Sequence, residues 1–425
     1  MSLDYLETHF HSVKALYRQR MGWLQTERID MQSMLDLEYR IRIHLHVLAG
    51  AIDAQADEPS QCPDAFVYLA SRFTSREEKQ QQQAAQLACE WLLDDSPRSH
   101  GARDALLLFP SPHTYTVMQQ TYVEMPALRP ILIYILTQHG ARLPKGLTNQ
   151  AELQGHDPYL QAQVLYYAAN DQKYSLDIFQ SYYQPLIEHQ AAPELDHGSL
   201  VAALWGGLVR QDPLAYTALQ RAIVHERDDF QRLDFLRLAA LSGEIQYTPI
   251  LLQVLEHAPE VGYHFLALHG QPPSLEVILN GLAHPRTSAY AEGAWWWVSG
   301  QTLPKKPRLS VVGGSSDEEE VEEEVGFVPD AQVAQQWWDK QKTEPEQRWF
   351  QGRPMTLESV QNAAKNYTGL ISNDLFDVLA IMAKRPFKLG NHTWHDVRLR
   401  RLEKVTPVIT TSHGETQLRQ EQRRA

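Results

Sequence analysis

Cysteine is almost missing from this chain of 425 residues: only Cys62 and Cys89 occur, and neither belongs to a CxxC pair. A disulfide framework and a cysteine zinc site are thereby excluded, and two sparse thiols suit a reducing compartment. An excess of positive charge is missing as well. The formal net charge is -13, which repels phosphate backbones, so nucleic acid is not an expected partner. Long apolar runs are also missing. The longest uncharged apolar stretch, Gly198 to Val209, falls far short of the ~20 residues that cross a bilayer. The first residues, MSLDYLETHF, hold no basic segment followed by an apolar one. No export signal is expected, and the expected location is the cytoplasm.

Catalytic signatures are missing too. The sequence has no GxxxxGK phosphate loop, no GxGxxG, no GxSxG and no HExxH. Helical-repeat di-iron enzymes need several His-Glu dipeptides, and His225-Glu226 is the single one here. His9/His11 and His44/His46 are spaced two apart, so on a helix they point in different directions and cannot chelate one ion within a pair. His392 and His395 lie in a Gly/Asn-rich turn and read as surface or capping residues. No catalytic, cofactor or metal site is expected, and no cofactor.

What is present is helical pattern. Leu, Ala and Gln dominate, a mixture that favours helix over strand. Leu3, Leu6, Phe10, Val13, Leu16 and Tyr17 recur at three- and four-residue steps, and Met31 to Leu48 repeats the pattern. Further helices follow over Ala65–Phe73, Glu77–Leu93, a short one over Leu106–Phe109, and Arg129–His139, which stops at Gly140.

From 158 to 300, helices of about a dozen residues alternate with short breaks at Gly, Pro and Asp. Gly243, Gly270 and Gly300 close successive Ala/Leu-rich helices at steps of 27 and 30 residues. A period of ~20–50 residues, with one helix pair per unit, marks a solenoid. A short helix pair cannot bury its apolar stripe alone, and the next pair covers it. The free concave face of such an array suits protein recognition.

The acidic run Asp317 to Glu324 marks a linker. Order returns with a helix around Val333, Trp337 and Trp338, an extended strap from Arg348 to Met355, and helices near Leu357 and over Leu375–Ala383. Near the C-terminus, Arg398, Arg400, Arg401, Lys404, Arg419, Arg423 and Arg424 read as a solvated basic tail. Trp295, Trp296 and Trp297 cannot all face one core, because successive helical residues turn by about 100°. They and Trp337-Trp338 either cover the C-terminal segment or meet a partner. Arg353 in the strap is a third candidate for protein binding. Arg40 is expected to hold the N-terminal helices against the array through a charge-assisted bond.

Four stretches carry a family likeness: Leu37 to Leu45 (LEYRIRIHL), Phe265 to Gly270, Ala291 to Gly300, and Trp337-Trp338 followed by Arg348, Gly352-Arg353-Pro354 and Thr356. In these, the chain resembles an uncharacterised family of bacterial HEAT-like proteins, whose genes often stand beside type VI secretion spike and adaptor genes. Trp295-Trp296-Trp297 is more aromatic than that family's pattern. The resemblance implies a cytoplasmic accessory with a spike protein or effector as partner.

The expected fold is thus all-α: a HEAT-like helical-repeat array (α-solenoid) with an N-terminal helical domain and a small C-terminal helical domain. The boundaries are 1–150 for the N-terminal helical domain, 151–300 for the array, and 301–330 for the acidic flexible linker. The small C-terminal domain follows over 331–405 and a loose tail over 406–425. The expected function is non-catalytic protein binding, as adaptor, chaperone or immunity-type accessory. The alternative is an enzyme with an unrecognised, metal-dependent site.

Overall fold

The computed structural model describes residues 3–49, 59–141, 143, 157–171, 173–188, 196–307, 327–341, 347–384, 390 and 392–404. The chain is mostly helical, with successive helices packed in pairs. The acidic run and the tail beyond 404 lie outside the described residues.

A hairpin opens the fold: α1 (Leu3–Leu24), the two-residue strand β1 (Ile29–Asp30) and α2 (Met31–Ala49). Then come α3 (Cys62–Phe73), α4 (Glu78–Trp91), α5 (Pro97–Leu108), α6 (Pro112–Glu124), α7 (Arg129–His139), α8 (Pro158–Ala169) and α9 (Asp177–Glu188). They are followed by α10 (His197–Val209), α11 (Pro213–His225), α12 (Asp229–Ser242), α13 (Thr248–His257), α14 (Pro259–His269), α15 (Pro272–Ala283) and α16 (Ser288–Ser299).

Proline begins many of these helices instead of merely separating them. Pro97, Pro112, Pro158, Pro213, Pro259 and Pro272 each occupy the first helical position, where the missing N–H has no intrahelical bond to lose. Asp157, Asp196, Asp212 and Asp228 precede helices and accept hydrogen bonds from their first-turn N–H groups. This corrects the short helix expected at Leu106–Phe109: it is the last turn of α5, which starts at Pro97.

The helices form two rows. In the first, α3, α5, α7, α8, α10, α12, α14 and α16 each pack on the next. In the second, α4 packs on α6, α9 on α11, and α13 on α15. Pairing therefore begins at residue 62, well before the array expected from 151. Burial falls into two clusters. One gathers side chains from Val13 to Tyr167 plus Trp394, and the other runs from Ala162 to Leu402. Helix α8 contributes to both. The segment from Ala334 to Leu402 shares the second cluster instead of building a core of its own.

After α16 the chain forms β2 (Lys305–Pro307) and β3 (Phe327–Pro329), which pair antiparallel, then α17 (Ala331–Gln341), β4 (Trp349–Phe350) and β5 (Arg353–Pro354), which pair antiparallel in turn. After these come α18 (Leu357–Asn366), β6 (Tyr367–Thr368), α19 (Ile371–Ala383) and α20 (His395–Glu403). Helix α20 extends the order past the last helix expected at Leu375–Ala383. Helix α19 packs on α10 and α12 of the first row, α20 packs on α2, and β6 pairs with β1. Elements from both ends of the chain therefore pack on first-row helices, α1 and α2 on α3 and α19 on α10 and α12.

Helix α1 has 22 residues, or about 33 Å at the α-helical rise. At one end the hairpin packs on α3. At the other, the Arg28 guanidinium lies 3.5 Å from the Trp296 ring centre on α16. Opposite ends of the first row are joined through one hairpin.

Candidate functional site

Three features arise where the C-terminal segment meets the array: a strap, a buried charge network and a polar cavity.

The strap crosses the ends of first-row helices. Gly243, Gly270 and Gly300 have φ of 68°, 62° and 72°, the left-handed turn that ends α12, α14 and α16 and that a side chain makes costly. Arg348 donates from Nε to the His269 carbonyl at 3.1 Å and from Nη2 to that of Leu268 at 2.7 Å. Backbone N–H groups of Trp349, Gln351 and Gly352 donate to the carbonyls of Gly270, Trp297 and Val298 at 2.7, 3.0 and 2.8 Å. These acceptors are the unpaired carbonyls at helix C-termini, a natural seat for donors. A Cβ on Gly270 would lie 2.9 Å from the Trp349 carbonyl oxygen, and one on Gly300 would lie 3.0 Å from Oε1 of Gln351. The extended segment expected here is corrected to a tight hairpin: β4 and β5 pair antiparallel, the chain reverses at Gln351 and Gly352 with φ of 50° and 78°, and the Met355 N–H donates to the Arg348 carbonyl at 2.7 Å.

The tryptophans line this seam. Trp295, Trp297 and Trp338 are buried, while Trp296 and Trp337 are half-buried. Trp295 meets Trp337, Trp297 meets Phe350, and Trp338 meets Trp349, each edge to face at 5.0 to 5.3 Å. In this conformation Trp295, Trp297 and Trp338 touch the protein's own C-terminal segment. Of the candidate binding residues only Arg353 is exposed.

The charge network ties the two ends of the chain. Glu38 Oε1 accepts from Nε of Arg20 at 2.8 Å and from Nδ1 of His395 at 2.7 Å, and Oε2 accepts from the His395 backbone N–H at 2.8 Å. Burial alone would raise the Glu38 carboxyl, but His395 and Arg20 hold it below the usual range. Burial in turn lowers the His395 imidazole, so it stays neutral. With Nδ1 donating to Glu38, Nε2 accepts from the Thr368 hydroxyl at 2.7 Å, and Thr368 accepts from Nη1 of Arg398 at 3.2 Å.

Arg42 adds a pair of bonds to Asp396, and Arg401 donates to the Gln138 and His139 carbonyls that end α7. Three expectations are corrected here. Arg40 is exposed; the tethering falls to Glu38 and Arg42, which face α20. His395 is fully buried, and so is Arg398, because each finds its partners inside a junction that only the folded chain creates.

The cavity lies beside that junction. It measures about 710 Å³ and is lined from α7, α8, α10, α12, α14 and α19. Arg237 on α12 reaches two carboxylates of α19, Asp374 at 2.5 Å and Asp377 at 2.8 Å, and His264 contacts Asp374 at 3.0 Å. Burial would raise Asp374, but the hydrogen bond from His264 and the Arg237 charge hold it below the usual range. Burial raises Asp377, and Arg237 only partly offsets this. Two carboxylates one turn apart thus settle in opposite directions. Tyr166 is pushed up to about 12 by burial and by nearby Asp377. It stacks edge to face on Trp205 at 5.5 Å. Thr137 and Asn170 also line the cavity, and their side-chain oxygens are shielded from solvent without a hydrogen-bond partner.

None of Trp205, Arg237, His264, Asp374 and Asp377 stood out in the sequence. One signal was present: Asp374 and Asp377 interrupt the apolar stretch of α19, ISNDLFDVLAIMA, where charged residues are unusual unless paired. Among the described residues no three His, Cys, Asp or Glu side chains group as metal ligands. None of the described helices is long and apolar enough to cross a membrane.

No protein-family model, curated protein or solved structure matches the chain.

Proposed function

We propose that this chain is a non-catalytic, HEAT-like helical-repeat protein that binds other proteins. It acts as a cytoplasmic accessory, of adaptor, chaperone or immunity type, to a type VI secretion system. The observation that carries the binding role is the way the first row of helices holds a helix and a hairpin strap of its own chain. Arg348 and three backbone N–H groups seat the strap on helix C-termini, and Arg237 seats α19 through Asp374 and Asp377. A helix laid against other helices is one way a peptide ligand is held. The secretion role rests on the resemblance of LEYRIRIHL, the repeat glycines and the Trp337-to-Thr356 stretch.

A partner meets exposed apolar side chains such as Val224 on α11 of the second row, 68% exposed, and Phe230 at the start of α12, 81% exposed, or it displaces the strap. Cross-linking the full chain in its native host, followed by mass spectrometry, tests this. Cross-links to a spike protein or effector are expected; recovery of general chaperones alone counts against the reading.

A second reading, an enzyme with a site that carries no familiar motif, is favoured by one observation. Asp374 and Asp377 are pushed apart in one cavity, as acid–base pairs are. Elemental analysis showing a stoichiometric transition metal, lost in Asp374→Asn, would favour it.

A further inference from the structure

Two helices of the first row end alike. Helix α7 closes on Gln138-His139-Gly140 and α14 on Leu268-His269-Gly270. Each is 11 residues long, and each turns left-handed at its glycine, with φ of 69° and 62°. In both, one arginine from the C-terminal segment donates two bonds to the last two carbonyls of the helix. Arg401 on α20 reaches those of Gln138 and His139 at 2.9 and 3.1 Å. Arg348 in the strap reaches those of Leu268 and His269 at 2.7 and 3.1 Å. In both, the histidine is buried, 7% and 0% exposed. Its Nε2 contacts a carbonyl near the end of the preceding first-row helix: Leu107 of α5 at 2.9 Å, and Glu244, just past α12, at 3.0 Å.

The ends of α12 and α16 are built differently. They close on Ser242-Gly243 and Ser299-Gly300, and neutral amide side chains donate to their terminal carbonyls. Gln271 donates to the Gly243 carbonyl at 2.6 Å, and Gln351 to those of Trp296 and Trp297 at 3.2 and 3.5 Å. The guanidinium thus goes with histidine and the amide with serine.

That pairing has an electrostatic consequence. A helix C-terminus carries partial negative charge and favours a cation. A neutral imidazole leaves that field intact. A protonated one sets a second positive charge beside the guanidinium, where water screens it poorly. Around the α14 end, Glu244 and Tyr216 on α11 favour the Arg348 charge, and Ser274 on α15 bonds Nδ1 of His269. Around the α7 end, Tyr115 on α6 favours the Arg401 charge and stands 5.6 Å from the His139 ring. Burial lowers both histidines to about 4, the carbonyl bond opposing and the arginine adding to it. A seated arginine makes the proton harder to add, so an added proton makes the arginine easier to unseat. Each attachment is therefore whole at neutral pH and is lost as pH falls toward 4.

We propose that the two His-Gly helix ends are proton-sensitive latches, holding the strap and the end of α20 on the array while their imidazoles are neutral and freeing them when these are protonated. Freeing the strap carries Phe350 away from Trp297, which it meets edge to face. The latches thereby regulate access to the tryptophan seam.

Amide exchange of the full, unaltered chain between about pH 7 and about pH 4.5, corrected for intrinsic rates, tests this, with circular dichroism followed alongside. Protection at Trp349 and from Leu402 to Lys404 should fall by about tenfold or more. Amides of α3 and α9 should change by less than about twofold, and the helical signal should persist. His269→Gln, which cannot take up the proton, should remove most of the fall at Trp349 and leave that at α20; His139→Gln should do the reverse. A merely structural role would lower protection at every pH and leave the slope as it was.

The proposal is overturned if protection at both latches stays flat in the unaltered chain, a result that stands whether or not the variants fold. It is overturned equally if α3 and α9 lose protection in step with the latches, if helix is lost before the strap loosens, or if folded glutamine variants keep the original slope. Protein binding by the array is untouched by any of these failures.

Discussion

Glu38 and His395 stand 357 positions apart in the chain, yet the imidazole Nδ1–H of one donates to the carboxylate of the other at 2.7 Å inside the fold. The glutamate is 2% exposed, the histidine fully buried, and Arg20 beside them 1% exposed. Removing one partner of such a set leaves a charge with nothing to balance it. Glu38→Ala is expected to destabilise the protein by about 3–5 kcal/mol, and Glu38→Gln by less, since the amide oxygen still accepts. Urea denaturation of both variants checks this. A loss below about 1 kcal/mol for the alanine variant would mean that the junction contributes little to holding the ends together.

Gly270 offers a test of the strap. Its φ of 62° disfavours any Cβ by about 1–2 kcal/mol, and that Cβ would also press on Trp349. Gly270→Ala should lower stability by at least that amount and speed amide exchange at Trp349, Gln351 and Gly352 more than at α3 or α5. Uniform acceleration over all of these would argue that the strap is not a separately releasable element.

Acid should weaken the fold in two stages. Burial lowers His139 and His269 to about 4. Each is neutral when folded and takes up a proton more readily when unfolded. Their contribution is therefore whole above the unfolded value of about 6.5 and is lost as pH falls from there toward 4, by up to about 3 kcal/mol each. Glu38, held down to about 2, acts lower, between about 4.5 and 2. In His269, Nε2 donates to the Glu244 carbonyl and Nδ1 accepts from Ser274, so a second proton at Nδ1 disrupts the Ser274 bond. His269→Gln should flatten the fall in melting temperature between pH 7 and 5. An unchanged slope would remove this histidine from the account.

The two thiols should be sluggish. Burial raises Cys62, and it pushes Cys89, 2% exposed, up to about 11. At neutral pH a disulfide exchange reagent should label Cys62 slowly and Cys89 only on unfolding. Fast labelling of both would contradict the packing of α4 against α6.

The carboxylates of α19 should separate in a titration followed by carbon NMR. Asp374 should titrate below a free aspartate and Asp377 above it. In Arg237→Gln the gap between them should change, because the guanidinium is common to both. Two coincident midpoints in the unaltered protein would speak against the cavity geometry.

What could be read in advance followed from local rules. Gly243, Gly270 and Gly300 announce helix ends because the turn after a helix requires a backbone that few other residues adopt, and their spacing announces the pairs. Arg348 to Met355 lacks helical periodicity and is not a helix, but it turns back at Gln351-Gly352 into a hairpin where an extended segment was expected. What escaped depends on contacts between distant segments. A buried Arg398 and a solvated one have the same neighbours in sequence; only the arrival of Thr368 and Ser372 distinguishes them. Arg40 and Arg42 are two positions apart, and which one finds an acidic partner is decided by where α20 docks. The cavity has no local sign at all beyond two aspartates in an apolar helix, since its wall is assembled from six helices.

Strands β2 and β3 run side by side, Lys305 opposite Pro329 and Pro307 opposite Phe327. The chain thus leaves this spot after residue 307 and re-enters it at 327. A single protease cut between those points is expected to leave the two fragments associated, because among the described residues they are joined by the β2–β3 pair, by the strap, by α19 on α10 and α12 and by α20 on α2. The same contacts make this a position at which to express the protein as two complementing pieces.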